Sequence, residues 1–281
     1  MPFYEDYGSG LYAHFLRSPS GYAHAVYHVH PHWELYFCPS PIEQVTFING
    51  QCITFTQPLG ILCPPFTHHG TSVDPSVRPF YHDVFYFGEE FLSDLGEGYF
   101  SLAPFAQSSA CFFLLTEAAA DQLLQLSDQI CTAPPVEQKL LFAVFFHRLC
   151  TFCPEEQRHY VGQASSYIQD VMRYIVDHLA EPLTGASIAA AFYISRNKLS
   201  ADFKQFTRTT LHQFIVNLRL ERAKGLLREK EPPSNHEIAG QCGFENEYYF
   251  YEFFKSQTGM TPREYMRKEK HRKAQKKTKQ G

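Results

Sequence analysis

The sequence predicts an α+β chain of several domains. A β-barrel or sandwich with flanking helices comes first, and an all-α domain holding two helix–turn–helix units follows. Three observations carry this expectation. Up to about residue 110, short aromatic and β-branched runs alternate with turn residues and show no helical period. Beyond that point, apolar residues recur every three or four positions. Finally, Phe203-Lys204-Gln205-Phe206-Thr207-Arg208 returns 51 positions later as Phe254-Lys255-Ser256-Gln257-Thr258-Gly259, an internal repeat.

The 281 residues suffice for two cores. A net charge of −4 hides an asymmetry: residues 1–162 carry 5 Lys/Arg against 16 Asp/Glu, and residues 163–281 carry 20 against 13. An acidic half joined to a basic half implies that the basic half meets a polyanion, although a solvated basic surface gives the same count. The start, MPFYEDYG, is acidic and lacks the basic region of a secretory signal. No apolar run nears the ~18 residues of a membrane span. The 8 scattered cysteines then read as reduced thiols of a cytoplasmic protein. Cys150-x-x-Cys153 has no second pair and no nearby histidine ligands, so ordinary buried thiols explain it better than zinc or redox work.

Taken in order, Tyr27 to His30 leads into a strand from His32 to Phe37. Gln44 to Ile48 and Cys52 to Thr56 flank Asn49-Gly50, a type I′ hairpin signal. Ile61 to Cys63 and Asp83 to Phe87 are further strands, and Pro64 to His68 lies between them. Residues i and i+2 of a strand share a face, so His30 and His32 converge there, with Glu34 if the strand stays regular. Thr116-Glu117 opens a helix with Leu123, Leu124, Leu126 and Ile130. A second helix runs from Val136 to Cys153 with Leu140, Leu141, Val144, Phe145 and Leu149. Pro154 to Gly162 is polar and reads as a linker. The expected domains are therefore 1–110, 111–162 and 163–281.

In the last of these, the helix from Ser166 carries Ile168, Val171, Met172, Ile175, Val176 and Leu179 at packed-helix spacing. Leu183 to Ala191 supports a first unit, and Ser195 caps its second helix. Leu199, Phe203 and Phe206 face inward there. Asn197, Ser200, Ala201 and Lys204 face outward, with Arg196 and Lys198 at the flanks. Thr210-x-x-Gln213 opens a connecting helix to about Arg228, about 28 Å long, close to the ~34 Å turn of B-DNA. In the second unit Gly243 supplies the turn and Asn246 the cap. Tyr249, Phe250, Phe253, Phe254 and Gln257 then fall on one side, and Glu247, Tyr248, Tyr251, Glu252 and Lys255 on the other. Gly259 ends that helix, and Thr261-Pro262-Arg263-Glu264 opens another with a capping box. The tail from Arg267 to Lys279 holds eight basic residues and one Glu, fit for phosphate contacts or for a solvated end.

Ile238-Ala239, Gly243-Phe244, Tyr249-Phe250, Phe254-Lys255, Gly259, Thr261-Pro262 and Tyr265 together resemble the signature of AraC/XylS-type bacterial transcription regulators. The resemblance implies a transcription regulator, not an enzyme. It implies double-stranded promoter DNA, a small-molecule effector and RNA polymerase as partners, a homodimer paired through the helices of 111–162, and activation of transcription. It assigns DNA contacts to Arg196, Asn197, Lys198, Ser200, Ala201 and Lys204, and to Asn246, Glu247, Tyr248, Tyr251 and Lys255. Arg binds guanine and Asn adenine, while Lys and hydroxyls hold phosphates. Gly185, Arg208, Asn235, Tyr248, Tyr251, Glu252 and Met266 depart from the family pattern, and Glu252 would repel phosphate.

His30-x-His32-Trp33-Glu34, the Asn49-Gly50 hairpin and Gly60 to His68 resemble the cupin-type effector domain of such regulators. This implies an effector site at His30, His32, Glu34, Tyr36 and His68, for a sugar or an aromatic compound, with no metal and no cofactor. The rival is a cupin metalloenzyme, an oxygenase or isomerase holding metal at His30, His32 and His68, fused to a DNA-binding domain.

Overall fold

The computed structural model describes residues 14–18, 28–74, 81–88, 101–162, 166–229 and 231–278; Tyr27 and Lys279, included in the readings above, lie outside them. The chain divides into two compact units, Leu11–Gln169 and the stretch from Asp170 onward.

The first unit has two antiparallel sheets among the described residues. β1 (His14–Ser18), β2 (Trp33–Cys38), β5 (Leu59–Cys63), β7 (His82–Phe87), β8 (Ser108–Leu114) and β9 (His159–Gly162) form one, in the order β1-β7-β2-β5-β8-β9. β3 (Gln44–Ile48), β4 (Gln51–Phe55) and β6 (His69–Val73) form the other, in the order β4-β3-β6. Asn49 and Gly50 have φ of +47° and +86°, the two positive angles of a type I′ turn joining β3 to β4.

Alternation along β2 sets the two cores. Trp33, Leu35 and Phe37 pack with Phe85, Phe87 and Phe113 under the helices α2 (Glu117–Thr132) and α3 (Pro135–Phe152), reaching Leu123, Phe142, Phe145 and Leu149. Tyr36 and Cys38 face the other way and pack with Ile61, Phe112, Ile48 and Val73 between the sheets. All six residues of β2 are buried, so the strand shows no solvent-facing side. A short helix, α1 (Ala103–Ala106), precedes β8.

Several expectations are corrected here. The stretch 154–162 is no linker: a 3₁₀ turn at Glu155–Gln157 leads into β9, which pairs with β8. β8 itself crosses the boundary expected at residue 110. β1, β6, β8 and β9 were not anticipated. Cys153 is fully buried with Cys150 packed against the same core, and burial pushes the Cys150 thiol up to about 11.

The second unit is helical: α4 (Tyr167–Asp177, entering from the first unit), α5 (Gly185–Ala191), α6 (Arg196–Thr207), α7 (Leu211–Leu227), α8 (Asn235–Gln241), α9 (Glu247–Thr258) and α10 (Pro262–Thr278). Each start carries a local signal. Thr184, Ser195, Thr210, Ser234 and Asn246 accept N–H groups of the first turn of α5, α6, α7, α8 and α9 in turn. Thr261 and Glu264 exchange capping-box bonds at the start of α10. Ile168, Val171, Met172, Ile175 and Leu179 are buried along and just past α4, the expected stripe.

The two halves repeat in backbone detail. Ile194 N–H donates to the Ala189 carbonyl and Phe244 N–H to Ala239, an offset of 50 between the short helices. Thr207 Oγ1 donates to Phe203 O and Thr258 Oγ1 to Phe254 O, an offset of 51 between the longer ones. The second turn is thus one residue longer. Left-handed residues sit at matched places: Tyr193 (φ +55°) and Gly243 (+75°) inside the turns, Arg208 (+59°) and Gly259 (+71°) after the longer helices.

Gly243 has a second reason to be glycine. A Cβ there would collide with the Leu179 carbonyl oxygen and stand 2.7 Å from Arg219 Nη2. Gly243→Ala therefore lowers the stability of this unit by about 2 kcal/mol or more, from left-handed strain plus the clash. Gly240→Ala, inside α8 with nothing within 4 Å of its Cβ position, changes it little or raises it by up to about 1 kcal/mol. Urea denaturation of the two variants checks the contrast. Asn246→Ala removes the bond from Tyr249 N–H (2.8 Å) and costs about 1 kcal/mol in the same measurement.

Candidate nucleic-acid interface and a buried histidine cluster

Each longer helix is anchored by a narrow apolar stripe. On α6, Leu199 and Phe203 are fully buried, with Phe203 against Phe214 of α7 at 5.3 Å between ring centroids. On α9, Phe250 and Phe254 are fully buried among Leu220, Ala223 and Leu227 of α7 and Ile238, Ala239 and Phe244. Tyr265 closes that core, stacking edge-on with Phe254 and bonded to Arg228, which also reaches Glu269 at 3.5 Å.

What remains outside is the candidate interface. Arg196, Asn197, Lys198, Ser200, Ala201 and Lys204 are all exposed on α6. Lys198 pairs with Asp202 at 2.7 Å, an exposed i,i+4 pair worth a few tenths of a kcal/mol and readily exchanged for another partner. The Arg196 side chain lies over the start of α5, its Nε 3.5 Å from where a Gly185 Cβ would stand, an ordinary contact distance. On α9, Asn246, Glu247, Tyr248, Glu252 and Lys255 are exposed and Tyr251 is half-buried. Asn246 spends its side-chain oxygen on the helix cap. Two residues expected inward are outside: Gln257 is exposed, and Tyr249 is 56% exposed beside Tyr248 at 76%. Tyr193, in the first turn and not singled out from sequence, is 97% exposed. The α6 face is cationic and amide-bearing; the α9 face is aromatic and acidic.

The expected effector residues separate. Between the two sheets lies Glu34, buried, its Oε2 met by His30 Nε2 at 3.0 Å, His69 Nε2 at 3.0 Å and His28 Nε2 at 3.3 Å. Burial alone would raise the Glu34 carboxyl, but the His69 charge and the bonds from His28, His30 and His69 outweigh it and hold the group well below the usual carboxylate range. Burial, against the pull of Glu34, draws His30 down to about 3. Tyr36, two residues along the same strand face, is buried and donates to Gln44 Oε1 at 3.1 Å.

His32 and His68 do not join this group. His32 precedes β2 in a bend, so strand alternation does not govern it; its carbonyl accepts from His30 Nδ1 at 3.1 Å. His68 is half-buried, with its backbone N–H donating to Asn49 Oδ1 at 3.0 Å. Its neighbour His69 takes the inner position because β6 begins there and pairs with His28 through two backbone bonds. The missed members, His28 and His69, had a sequence signal only in being histidines near those chosen.

Residues 188–268 match the family model described as a helix-turn-helix domain. An uncharacterized HTH-type transcriptional regulator of Escherichia coli, YijO, is 31% identical over 147 residues, covering 52% of this chain and 51% of that protein. The HTH-type transcriptional activator RhaS of Escherichia fergusonii is 33% identical over 97 residues, 34% of each chain. Among solved structures, the DNA-binding domain of AdpA in complex with a target DNA is 29% identical, covering 40% of this chain and 99% of that one with a TM-score of 0.37. The matched regions span about a third to a half of these two curated relatives. Among the described residues no helix is long and apolar enough to cross a membrane. Residues 188–268 are a helix-turn-helix domain, similar in sequence to that of HTH-type transcriptional regulators.

Proposed function

We propose that the chain is a sequence-specific, DNA-binding transcription regulator of the AraC/XylS type that responds to a small-molecule effector. One observation carries the reading: inside the matched helix-turn-helix segment, α6 keeps Arg196, Asn197, Lys198, Ser200, Ala201 and Lys204 together on one exposed face while Leu199 and Phe203 anchor it. Such a helix presents amide and guanidinium groups for adenine and guanine edges, and ammonium and hydroxyl groups for phosphates. The 17 residues of α7 span about 25 Å, near one turn of B-DNA, so α6 and α9 act as two reading helices on successive major grooves.

The two do unequal work in this reading. α6 supplies direct base readout, and α9 adds contacts through Tyr248, Tyr251 and Lys255 while Glu247 and Glu252 keep its phosphate affinity low. The N-terminal unit is a cupin-like sensor, its effector a sugar or aromatic compound, and no reaction is catalysed. Leu140 and Val144, one turn apart on α3 and 55% and 43% exposed, support a homodimer through that helix. The regulator works in the cytoplasm and activates by recruiting RNA polymerase.

Selection of a duplex from a random pool, followed by titration at several salt concentrations, tests the reading. Affinity for the selected duplex falls steeply with salt. Arg196→Ala and Asn197→Ala each weaken it by roughly 10- to 100-fold and relax the selected sequence, whereas Lys204→Ala weakens all duplexes alike and flattens the salt slope by about one unit. A salt-independent affinity, or specific binding untouched by both α6 variants, overturns the proposal.

A further inference from the structure

We propose that His28, His30, Glu34 and His69 hold one divalent first-row transition-metal ion inside the N-terminal unit. This goes beyond the regulatory reading, runs against the sequence expectation of no metal, and does not depend on DNA binding.

The argument begins with the outer nitrogens. His30 Nδ1 lies 3.1 Å from the His32 carbonyl, and His69 Nδ1 lies 2.9 Å from the Thr67 carbonyl. A carbonyl oxygen only accepts, so each Nδ1 carries a hydrogen, which leaves Nε2 as the inward-facing ring atom and, in a neutral ring, as the lone pair that a metal ion takes. Both inward nitrogens point at the same oxygen, Glu34 Oε2, at 3.0 Å, and His28 Nε2 approaches that oxygen at 3.3 Å. Three ring nitrogens and a carboxylate oxygen, with the His30, His69 and Glu34 side chains 2–7% exposed, need a positive centre among them. Supplying it with several imidazolium ions would crowd like charges around one carboxylate away from water.

A metal ion satisfies all four donors together. The four ligand atoms lie within 4.8 Å of one another. Ligands about 2.1 Å from a common ion stand about 3–4.2 Å apart, so small side-chain rotations complete the set. Hydrogen-bonding of the distal ring nitrogen to a carbonyl is the support that metal-bound histidines receive, fixing tautomer and ring direction. Three imidazoles with one carboxylate suit zinc, iron, nickel or cobalt rather than calcium or magnesium.

The site also joins separate pieces of the fold. Glu34 belongs to β2 in the larger sheet, His69 to β6 in the smaller, and His28 and His30 to the segment before β2. An ion there clasps the two sheets together, so its binding raises the thermal midpoint of the unit.

The test uses the full chain, stripped with a chelator, dialysed, and titrated with Co²⁺ or Zn²⁺ alone. The expected result is one ion per chain, a visible Co²⁺ ligand-field spectrum and a raised thermal midpoint. His69→Ala and the near-isosteric Glu34→Gln each weaken the ion's hold by more than about 100-fold, while His68→Ala retains it. Circular dichroism of each metal-free variant separates lost ligation from lost fold, and Glu34→Gln decides if His69→Ala does not fold. A folded parent chain that takes up no stoichiometric ion overturns the proposal. So does an ion held equally well after His69→Ala and Glu34→Gln.

Discussion

Phe250 and Phe254 sit fully buried against Leu220, Ala223 and Leu227 of α7, and that contact decides which residues of α9 stay outside. Leu199 and Phe203 do the same for α6. Burying an aromatic or aliphatic side chain is worth about 1.5–3 kcal/mol, several times the few tenths from the exposed Lys198–Asp202 pair. Hence apolar anchoring, not surface charge, sets the rotation of α6 and α9. Surface residues are then free to vary without disturbing the core, which lets the α6 face be cationic and the α9 face acidic on one scaffold.

The N-terminal unit is organised around the opposite situation, a buried charge. Glu34 occupies an inward position of β2 where Tyr36 and Cys38, its neighbours on that face, join an apolar layer. An isolated carboxylate there would be costly, so its partners are brought from two places, His28 and His30 from the segment before β2 and His69 from the start of β6. The histidines also take part in backbone bonding, so the cluster is built into the connection between sheets.

Local signals were legible in the sequence. The caps at Ser195, Thr210 and Asn246, the Asn49-Gly50 turn and the Thr261–Glu264 box depend on residues a few positions apart, and all form. Strands defined by distant partners were not legible. β8 and β9 pair across some fifty residues, and β6 is a Gly-, Thr- and Ser-containing strand that lacks a continuous apolar run. That His69 and not His68 reaches Glu34 was illegible for a related reason. Phe66 takes a left-handed conformation (φ +64°) just before β6, and a shift of one residue exchanges the two faces of a strand. On α9 the stripe read from sequence was too wide, since only Phe250 and Phe254 reach full burial while Tyr249 and Gln257 lie outside.

The central claim is that α6 and α9 meet one duplex together. Hydroxyl-radical and base-modification footprinting of the full chain on its selected duplex tests it most directly. The account predicts two protected major-groove windows on one face of the DNA, about one helical turn apart, with base-level protection stronger under α6. Protection confined to one window, or two windows on opposite faces of the duplex, would contradict it.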